Sequence, residues 1–482
     1  MELILKQDVE GLGFKDDLVT VKNGYGRNFL IPTGRAIIAT TSAKKVRDEN
    51  LKQRVFKEEK MIADALIIGG SLLGVTTAHR LAKHGCSVVL VEAKEDVGLG
   101  ANFANGAMLV PSQTMPWNSP GILPKLLMSI IKKNSPVRIK PQAIPSLFRW
   151  GLHFIKNSQP HLHELNTRRL LNLALYSMRV FEEYFESYAN QFEAKKSGTI
   201  KIFRDQSSLE AQIRSNRHLS DSGLVWETLQ PHQIIEAEPH LQALEPQLVG
   251  GIRFSADVVA DSQKFCQILR DELIASGQMI HLGCKANKLL FSGDRVIGAQ
   301  TTIGDIKAKN TILASGTDTT KFVSTAIKSI LIRPAKGYSL TYNTTEVNDL
   351  PSYPIVDEGQ KLAIIPINGK LRSVGFADFS GHDVSLSSQR FRDLDRLTKS
   401  VYPNFASIFD GCERERWVGL RPVSADGLPY IGETSSKGLW VNSGHGHLGW
   451  TLATGSAELL ANLITGKPTA LETTPFAVIR ST

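Results

Sequence analysis

Residues 63–92 read ADALIIGGSLLGVTTAHRLAKHGCSVVLVE, and this stretch decides the fold of most of the chain. Its pattern predicts, in order, an apolar strand at 65–68, a glycine-rich turn at 69–74, a helix at 75–84 and a strand at 87–91. An acidic residue, Glu92, closes the second strand. In such a unit a pyrophosphate sits on the helix N-terminus and the acid binds a ribose hydroxyl. The stretch therefore predicts a dinucleotide-binding unit.

The candidate phosphate-binding residues of the turn are Gly69, Gly70, Ser71 and Gly74. The usual pattern has glycine where Ser71 stands, but serine is small and its backbone N–H remains available to a phosphate. A turn of an ordinary α/β protein is the alternative interpretation of these glycines. The strand before the turn, the helix after it and the acid at Glu92 favour the dinucleotide-binding interpretation.

Two later segments favour a flavin over a nicotinamide cofactor. Residues 102–112 read NFANGAMLVPS, and residues 116–121 read PWNSPG. They resemble the loop and turn that the D-amino acid dehydrogenase branch of the D-amino acid oxidase superfamily places against FAD. Asn102 stands where that branch usually has serine. The resemblance implies contacts with FAD at Ala93, Asn102, Ala104, Asn105 and Gly106.

The resemblance continues over residues 61–482. Residues 311–316 (TILASG) resemble the second flavin-contacting strand and turn, and residues 442–450 (NSGHGHLGW) resemble the turn that enters the last helix, predicted here at 451–463. In that family the positive end of this helix faces the flavin edge where negative charge develops. The implied contacts with FAD in these two segments are Gly316, Gly444, Gly446, Leu448 and Gly449.

Three residues are candidates for the catalytic site. Arg421, in the run WVGLRP, is expected to bind a substrate carboxylate, because a guanidinium holds a carboxylate through two hydrogen bonds; a structural salt bridge is the alternative. Tyr338, in the run KGYSL, lines the pocket or is an ordinary strand aromatic. His445 is expected to pack beside the flavin rather than to act as an acid or base.

The predicted fold class is α/β plus α+β. We expect a doubly wound, Rossmann-like FAD-binding domain with an antiparallel-sheet substrate domain, preceded by a small domain of three strands and a helix. The expected boundaries are 1–41 for the small domain, 42–62 for a connecting helix, 63–150, 261–325 and 411–482 for the FAD-binding domain, and 151–260 and 326–410 for the substrate domain.

The first sixty residues carry an unrelated signature. MELILK and LVTV predict short strands, and a polar helix is expected from Ser42 as N-cap. Between them, residues 23–32 (NGYGRNFLIP) predict a loop in which the glycines let the backbone approach a phosphate. This segment has twelve Lys and Arg against nine Asp and Glu, so by composition alone a solvated small domain is favoured.

Residues 13–40 (GFKDDLVTVKNGYGRNFLIPTGRAIIAT) resemble the N-terminal domain of bacterial large-subunit ribosomal protein nine. Asp16 stands where that family usually has Gly or Asn. The resemblance implies a three-stranded sheet with a helix that docks on large-subunit rRNA. The RNA-binding candidates are Gly24, Tyr25, Arg27, Asn28, Phe29 and Arg35, through stacking on bases and contacts with phosphates.

No Gly, Ser or Pro linker separates the two parts, since the charged run at 57–60 is followed at once by Met61 and an apolar strand. Met61 lies where a free-standing flavoprotein would begin. Three origins stay open: a gene fusion, an internal start site, and the joining of two proteins in sequence assembly.

Composition adds weaker expectations. The net charge of +9 suits RNA, anionic lipid or an anionic small molecule without choosing among them. The four cysteines lack metal-type spacing, so we expect no metal site, no disulfide framework and a reducing, cytoplasmic location. Residues 122–157 interleave apolar residues with Lys132, Lys133, Arg138, Lys140, Arg149 and Lys156. Such a stretch lies peripherally on the inner face of a membrane or packs as core helices with a basic edge.

The sequence thus predicts FAD-dependent oxidative deamination of D-amino acids, with a quinone as a suitable electron acceptor. One alternative is an oxidase of the same superfamily that acts on glycine, sarcosine or hydroxyproline. Another is a ribosomal rRNA-binding protein that carries the flavoprotein body as a passenger.

Overall fold

The computed structural model describes residues 1–7, 9, 11–13, 15–49, 62–131, 135–322 and 330–480. These residues form two compact units, Met1–Ala63 and Asp64–Thr482, which are described separately.

The Met1–Ala63 unit is built on a small antiparallel sheet. Its strands are Leu18–Thr20, Glu2–Leu5 and Ala36–Ile38, in that spatial order. Leu3, Leu5, Leu30 and Ala36 are buried together in its core, because the central strand turns one face toward the segment that ends at Leu30. The predicted three-stranded sheet is confirmed.

The prediction of a loop at residues 23–32 is wrong for most of its length. Asn23–Tyr25 is α-helical, and Gly26–Leu30 continues as a π-helix. Gly26 has an ordinary right-handed conformation, with φ of −64°. Its role is close packing, since a Cβ atom there would lie 2.7 Å from the Met1 sulfur.

The polar helix is present at residues 41–49. Ser42 is not its N-cap: the Thr40 hydroxyl accepts the hydrogen bond from the Ala43 N–H, at 3.1 Å. Thr40 therefore satisfies a free N–H of the first turn. The rest of the expected connecting helix, residues 50–61, lies outside the described residues.

Two sheets organise the larger unit. In the described chain the first has eight strands. Its path runs Met279–His281, Val88–Val91, Ala63–Ile68, Gly304–Leu313, Arg295–Thr301 and Ala286–Ser292. Leu439–Ser443 also pairs with Gly304–Leu313, and Tyr430–Glu433 pairs with Leu439–Ser443. The first three strands pair in parallel, as the predicted nucleotide-binding unit requires.

The helix that follows the glycine turn is Leu72–Lys83. It packs against Ser262–Ala275 and Gly449–Thr465, and the latter packs in turn against the long helix Pro160–Tyr188. Leu72, Val75 and Leu81 are buried on its inner face, at the spacing of an amphipathic helix. The main core of the unit lies between these helices and the first sheet.

The second sheet is mostly antiparallel and has nine strands in the described chain. Its path runs Arg414–Ser424, Ile332–Tyr342, Lys370–Phe379, Leu362–Ile367, Ile355–Asp357, Thr199–Phe203, Gly250–Phe254 and Glu227–Leu229, with Val137–Ile139 beside Lys370–Phe379. A separate pair joins Met108–Leu109 to Val258–Val259. The predicted combination of a doubly wound part and an antiparallel-sheet part is confirmed.

The remaining α-helices of the larger unit lie around the two sheets. They are Ile122–Ile131, Ile144–Lys156, Gln206–Ser220, Pro231–Ala237, Thr319–Phe322, Ser388–Val401 and Ala406–Gly411. Short 3₁₀ turns occur at Pro111–Gln113, Pro141–Ala143, Pro239–Gln247, Gly316–Asp318, Pro403–Phe405, Gly446–Leu448 and Thr474–Phe476. No helix within the described ranges is long and apolar enough to cross a bilayer.

The domain boundaries drawn from the sequence stay a proposal, and two segments argue for moving them. Arg414–Ser424, expected in the FAD-binding part, pairs along its length with Ile332–Tyr342 of the second sheet. Pro160–Tyr188, expected in the substrate part, contributes Leu170 and Phe181 to the main core. Each segment therefore packs with the part of the unit other than the one expected.

Candidate active site

A large cavity of about 1630 Å³ lies between the two sheets. Its lining includes Ile68 and Val91 from the first sheet and Tyr338 and Arg421 from the second. Sites for one small molecule are typically about 300–1,000 Å³, so this cavity has room for a dinucleotide and a second ligand.

The glycine turn forms one end of the cavity. Gly69 has a φ of +109°, which favours glycine, and a Cβ atom at Gly74 would overlap the Gly69 carbonyl oxygen. These two glycines therefore let the helix Leu72–Lys83 begin directly behind the strand. The helix N-terminus is left open to the cavity at Ser71 and Leu72, where backbone N–H groups can bind phosphate.

The two positions at which this chain departs from the family pattern lie against each other. The Ser71 hydroxyl donates a hydrogen bond to the side-chain oxygen of Asn102. The Asn102 amide group lies 3.6 Å from the Cys266 sulfur, and its backbone oxygen accepts a hydrogen bond from the Ser262 hydroxyl at 2.8 Å. Asn102 therefore ties the phosphate turn to the helix Ser262–Ala275.

Glu92 lines the same end of the cavity, directly after the strand Val88–Val91. One carboxylate oxygen accepts a hydrogen bond from the Gly70 N–H at 2.5 Å, and the other accepts one from the Lys94 N–H at 2.9 Å. Two backbone donors thus hold the carboxylate in place. Each oxygen keeps a second lone pair with which to accept a hydrogen bond from a ribose hydroxyl.

The turn before the last helix also borders the cavity. Gly444 and Gly446 have φ of +86° and +57°, and the helix Gly449–Thr465 begins beside the cavity. In the turn that follows the strand Gly304–Leu313, Gly316 has a φ of +58°, and its carbonyl oxygen accepts a hydrogen bond from the Ser443 hydroxyl. A second helix N-terminus therefore meets the cavity, where it favours negative charge.

The cavity brings together most of the predicted FAD-binding residues. Those that line it are Gly69, Ser71, Glu92, Ala93, Asn102, Ala104, Asn105, Gly106, Gly316, Gly446 and Gly449. Those that do not are Gly70, Gly74, Gly444 and Leu448. The second group lies one layer behind the wall, where small or buried residues allow the backbone to pack closely.

The wall also carries polar atoms that fit a polar ligand. Among the described residues, Gln113 Nε2, Ser339 Oγ, Asn442 Oδ1 and His445 Nδ1 are buried without a hydrogen-bond partner, and all four residues line the cavity. Buried polar groups are nearly always hydrogen-bonded in folded proteins. The donors, acceptors and two helix N-termini thus fit a flavin dinucleotide.

Arg421 lies in the cavity wall with no carboxylate partner among the described residues. Its Nη1 donates to the Phe376 carbonyl oxygen at 3.1 Å, and its guanidinium lies 5.9 Å from the centre of the Trp117 indole. Burial lowers the pKa of Arg421 to about 10, so the group stays charged at neutral pH. Among the described residues Arg421 forms no structural salt bridge, which was the alternative considered from the sequence, and an anionic ligand would complete the site.

Gly337 makes room for this guanidinium. A Cβ atom at position 337 would overlap the Arg421 side chain, since the two residues lie on neighbouring strands two registers apart. Arg421 can therefore keep this conformation only with glycine at position 337. The run KGYSL contains that glycine, but the contact with Arg421 that requires it is visible only in the tertiary structure.

Tyr338 also lines the cavity, but its hydroxyl is engaged. It donates to Asp378 Oδ2 at 2.8 Å, and that carboxylate is paired with Arg138 and Arg390. Burial and the neighbouring Asp378 raise the pKa of Tyr338. The hydroxyl is therefore held as a neutral donor to Asp378, and the ring is buried against Phe376 and Phe391.

His445 is buried at the edge of the cavity. Its Nε2 lies 2.9 Å from the Ser456 hydroxyl, and burial lowers the pKa of His445 to about 3. A neutral imidazole with this pKa does not donate a proton at neutral pH. The placement agrees with a packing role beside the cofactor.

Sequence reasoning left three wall residues out of the site. Trp117 stacks on His447, with ring centres 5.4 Å apart, and His447 Nε2 lies 3.0 Å from the Gln113 carbonyl oxygen. Trp117 belongs to the segment PWNSPG and His447 to the segment GHGHLG, so both residues lie in motifs that the sequence analysis singled out. The sequence did not show that these two segments, about 330 residues apart, are in contact.

The RNA-binding candidates lie on the Met1–Ala63 unit, and three of them, Tyr25, Phe29 and Arg35, form a cluster. The Tyr25 and Phe29 rings stack at 5.4 Å, and the Arg35 guanidinium lies 5.1 Å from the Phe29 ring. Tyr25 and Phe29 are about two-fifths exposed. Gly24, Arg27 and Asn28 are exposed on the same helical segment.

Comparison with known families agrees with both parts of the chain. Residues 64–463 match the family described as FAD dependent oxidoreductase. Residues 1–47 match the N-terminal domain of ribosomal protein L9.

Curated relatives are similar in sequence to this chain, and solved structures are similar to it in fold. A D-amino acid dehydrogenase of Xylella fastidiosa (strain M12) is 33% identical over 403 residues, which are 84% of this chain and 92% of that protein. One from Vibrio cholerae serotype O1 (strain M66-2) is 31% identical over 402 residues, or 83% of this chain and 95% of that protein. In fold, glycine oxidase from Geobacillus kaustophilus superposes with a TM-score of 0.70 at 20% identity, covering 88% of this chain and all of that one. L-proline dehydrogenase from P. horikoshii superposes with a TM-score of 0.68 at 17% identity, covering 86% of this chain and 97% of that one.

The fold and the cavity define a flavin-dependent oxidoreductase. This chain belongs to the family of FAD-dependent oxidoreductases, and FAD is its cofactor.

Proposed function

We propose that this protein is an FAD-dependent D-amino acid dehydrogenase, which converts a D-amino acid to a 2-oxo acid and ammonia. The observation that carries the proposal is Arg421, a charged guanidinium in the cavity wall without a carboxylate partner among the described residues. A substrate carboxylate supplies that partner, through a pair of charge-assisted hydrogen bonds. The curated relatives with this name support the choice of an amino acid as substrate.

The residues bind and orient, and they exchange no proton with the substrate. Arg421 anchors the carboxylate, and Tyr338, whose hydroxyl is held by Asp378, is a buried residue of the neighbouring strand. When bound, FAD supplies the two-electron acceptor for the hydride that leaves the substrate Cα. The amine enters neutral, so the oxidised product is an imino acid, which water hydrolyses to the 2-oxo acid and ammonia.

Anaerobic flavin reduction tests this proposal. We expect a D-amino acid to bleach the flavin absorbance at least tenfold faster than its L-enantiomer does. Arg421→Lys keeps the charge but not the two-pronged geometry, so its rate at subsaturating substrate is expected to fall at least tenfold. Bleaching by no amino acid, or an unchanged Arg421→Lys enzyme, would contradict the proposal.

A related oxidase for glycine, sarcosine or hydroxyproline is the alternative within the same family. A substrate panel separates it from the dehydrogenase when it is run with oxygen alone and with an added quinone. We propose that a quinone is the electron acceptor, so turnover is expected to need the quinone. Turnover of glycine or sarcosine with oxygen alone would favour the oxidase.

A peripheral contact with an anionic membrane is a further part of the proposal. Four apolar side chains recur at helical spacing on the outer face of Ile144–Lys156 and are exposed: Ile144 (42%), Phe148 (69%), Leu152 (56%) and Ile155 (39%). The inner face of the same helix buries Trp150 and Phe154. This helix is therefore apolar on two faces, and only one of them is needed for the fold.

The charge around this helix suits an anionic bilayer surface. Residues 97–163 contain seven Lys and Arg and no Asp or Glu. On the helix itself, Arg149 and Lys156 lie beside the exposed apolar stripe, where long cationic side chains can reach lipid headgroups. Apolar burial and attraction to anionic lipid then act together, as in interfacial helices.

For the Met1–Ala63 unit we propose binding to large-subunit rRNA. The support is the exposed pair Tyr25 and Phe29 with Arg35 against the Phe29 ring, a set suited to unpaired bases and phosphates. Co-sedimentation of the full chain with large ribosomal subunits is expected, and Tyr25→Ala/Phe29→Ala is expected to abolish it. Full-length chain that pellets with ribosomes but binds no flavin would favour the passenger interpretation.

The intact mass of the protein from its own host tests whether the two parts act together. A species near 53.0 kDa supports a fusion protein with both activities. A species that begins at Met61 would assign the first sixty residues to another protein.

A further inference from the structure

We propose that His447 accepts a hydrogen bond from the α-amine of the substrate and so selects amino acids over other carboxylic acids. The inference rests on the proposed function, because it places the substrate carboxylate on Arg421. His447 is exposed to the cavity rather than packed behind its wall.

The hydrogen bonds of His447 decide which ring nitrogen can accept. A backbone carbonyl oxygen only accepts, so the contact between His447 Nε2 and the Gln113 carbonyl, at 3.0 Å, places the proton on Nε2. Nδ1 makes no hydrogen bond with any described residue. In the neutral ring Nδ1 is therefore a free acceptor.

The surroundings keep the ring neutral. Enclosure of the ring within the cavity and the positive charge of Arg421 both lower the pKa of His447 below its ordinary value. Within the described chain no carboxylate forms an ion pair with His447. A neutral acceptor suits the neutral amine from which hydride transfer proceeds, whereas an imidazolium would repel an incoming ammonium group.

The position of His447 fits a ligand that reaches Arg421. Both groups contact the same indole: the His447 ring stacks on Trp117 at 5.4 Å with an interplanar angle of 16°, and the Arg421 guanidinium lies 5.9 Å from that ring centre. In an α-amino acid a single carbon separates the carboxylate from the amine. Receptors for the two groups must therefore lie near each other, and Arg421 and His447 share Trp117 as a neighbour in the cavity wall.

Two ligands that are not oxidised test the inference: benzoate, and 2-aminobenzoate, which adds only a neutral amine. Their dissociation constants are measured by perturbation of the flavin absorption spectrum of the holoenzyme. In His447→Leu we expect the dissociation constant of 2-aminobenzoate to rise about fivefold, the size of one neutral hydrogen bond, and that of benzoate to stay unchanged. His447→Gln keeps an acceptor oxygen and is expected to restore most of the difference.

The control is His232→Leu, an exposed histidine of the helix Pro231–Ala237, which is expected to change neither constant. Flavin content confirms that each variant is loaded. If His447→Leu raises both dissociation constants equally, or changes neither, the role of His447 is overturned. Arg421 then remains the carboxylate site. If benzoate fails to bind the unaltered enzyme, or binds Arg421→Lys equally well, the proposed function fails and the inference fails with it.

Discussion

The Ser71 hydroxyl donates a hydrogen bond to the side-chain oxygen of Asn102, across 31 positions of sequence. These are the two sites at which the chain departs from the flavin-binding pattern: serine stands for the second glycine of the turn, and asparagine stands for a serine of the following loop. The contact indicates that the two departures compensate one another, since the larger side chain at each position supplies the partner of the other.

A double-mutant cycle on FAD affinity checks this compensation. Ser71→Gly leaves the buried Asn102 oxygen without its donor, so apoprotein is expected to bind FAD about fivefold more weakly, for a loss of about 1 kcal/mol. Asn102→Ser is expected to cost a similar amount. The double variant should lose no more than the worse single variant, because the interaction is already gone. Flavin fluorescence titration measures all four constants, and strict additivity would contradict the coupling.

Gly337→Ala is expected to disturb the carboxylate site without affecting the cofactor. The added Cβ atom would overlap the Arg421 guanidinium, which must then leave its position. The dissociation constant of benzoate should rise at least tenfold, while the flavin content should stay the same. Gly411→Ala is the matched control, because a Cβ atom there meets no other atom within 4 Å. An unchanged benzoate affinity in Gly337→Ala would show that Arg421 is not the anion site.

Asp257 predicts a pH dependence of stability. Its carboxylate accepts hydrogen bonds from the Ser112 and Thr199 hydroxyls, each at 2.6 Å, and burial raises its pKa to about 7. The ordinary pKa of Asp is near 4, so between about pH 4 and pH 7 the folded protein holds a proton that the unfolded chain has lost. The contribution of Asp257 to stability is therefore present below this window and is lost as the pH rises through it.

Melting temperatures from pH 4 to pH 8 measure this contribution. Asp257→Asn removes the titrating group, so the difference in melting temperature between the unaltered protein and the variant should shrink as the pH rises. Asp294→Asn is the control, since its side chain is 77% exposed and should leave the pH profile unchanged. A constant difference across the range would exclude the raised pKa of Asp257.

Removal of the exposed apolar stripe is expected to weaken membrane binding. Phe148→Ser/Leu152→Ser takes away the two most exposed apolar side chains of the helix Ile144–Lys156. Co-sedimentation with vesicles that contain phosphatidylglycerol should fall at least tenfold, because binding scales with buried apolar area. Ile303→Ser, with 59% exposure in a turn of the first sheet, is the control. Equal binding to purely zwitterionic vesicles would contradict the role of charge.

The sequence by itself determined the features that rest on local interactions. The strand, turn, helix and strand of residues 63–92 follow from apolar spacing and from two glycines of the turn, Gly69 for its positive φ and Gly74 for close packing. The same stretch indicated a dinucleotide, and the later segments indicated FAD and Arg421 as the candidate carboxylate anchor. Sequence reasoning missed the helix at residues 23–30, because glycines that serve close packing look the same in sequence as glycines that serve a loop.

Only the tertiary structure decided which of these residues meet. It paired Ser71 with Asn102, placed Gly337 under the Arg421 guanidinium, engaged the Tyr338 hydroxyl with Asp378 and set His447 beside Trp117. It also showed that Arg414–Ser424 completes the second sheet rather than the flavin-binding layer. Each of these contacts joins segments distant in the chain, and the packing of the whole core, rather than any local spacing, determines which distant surfaces come together.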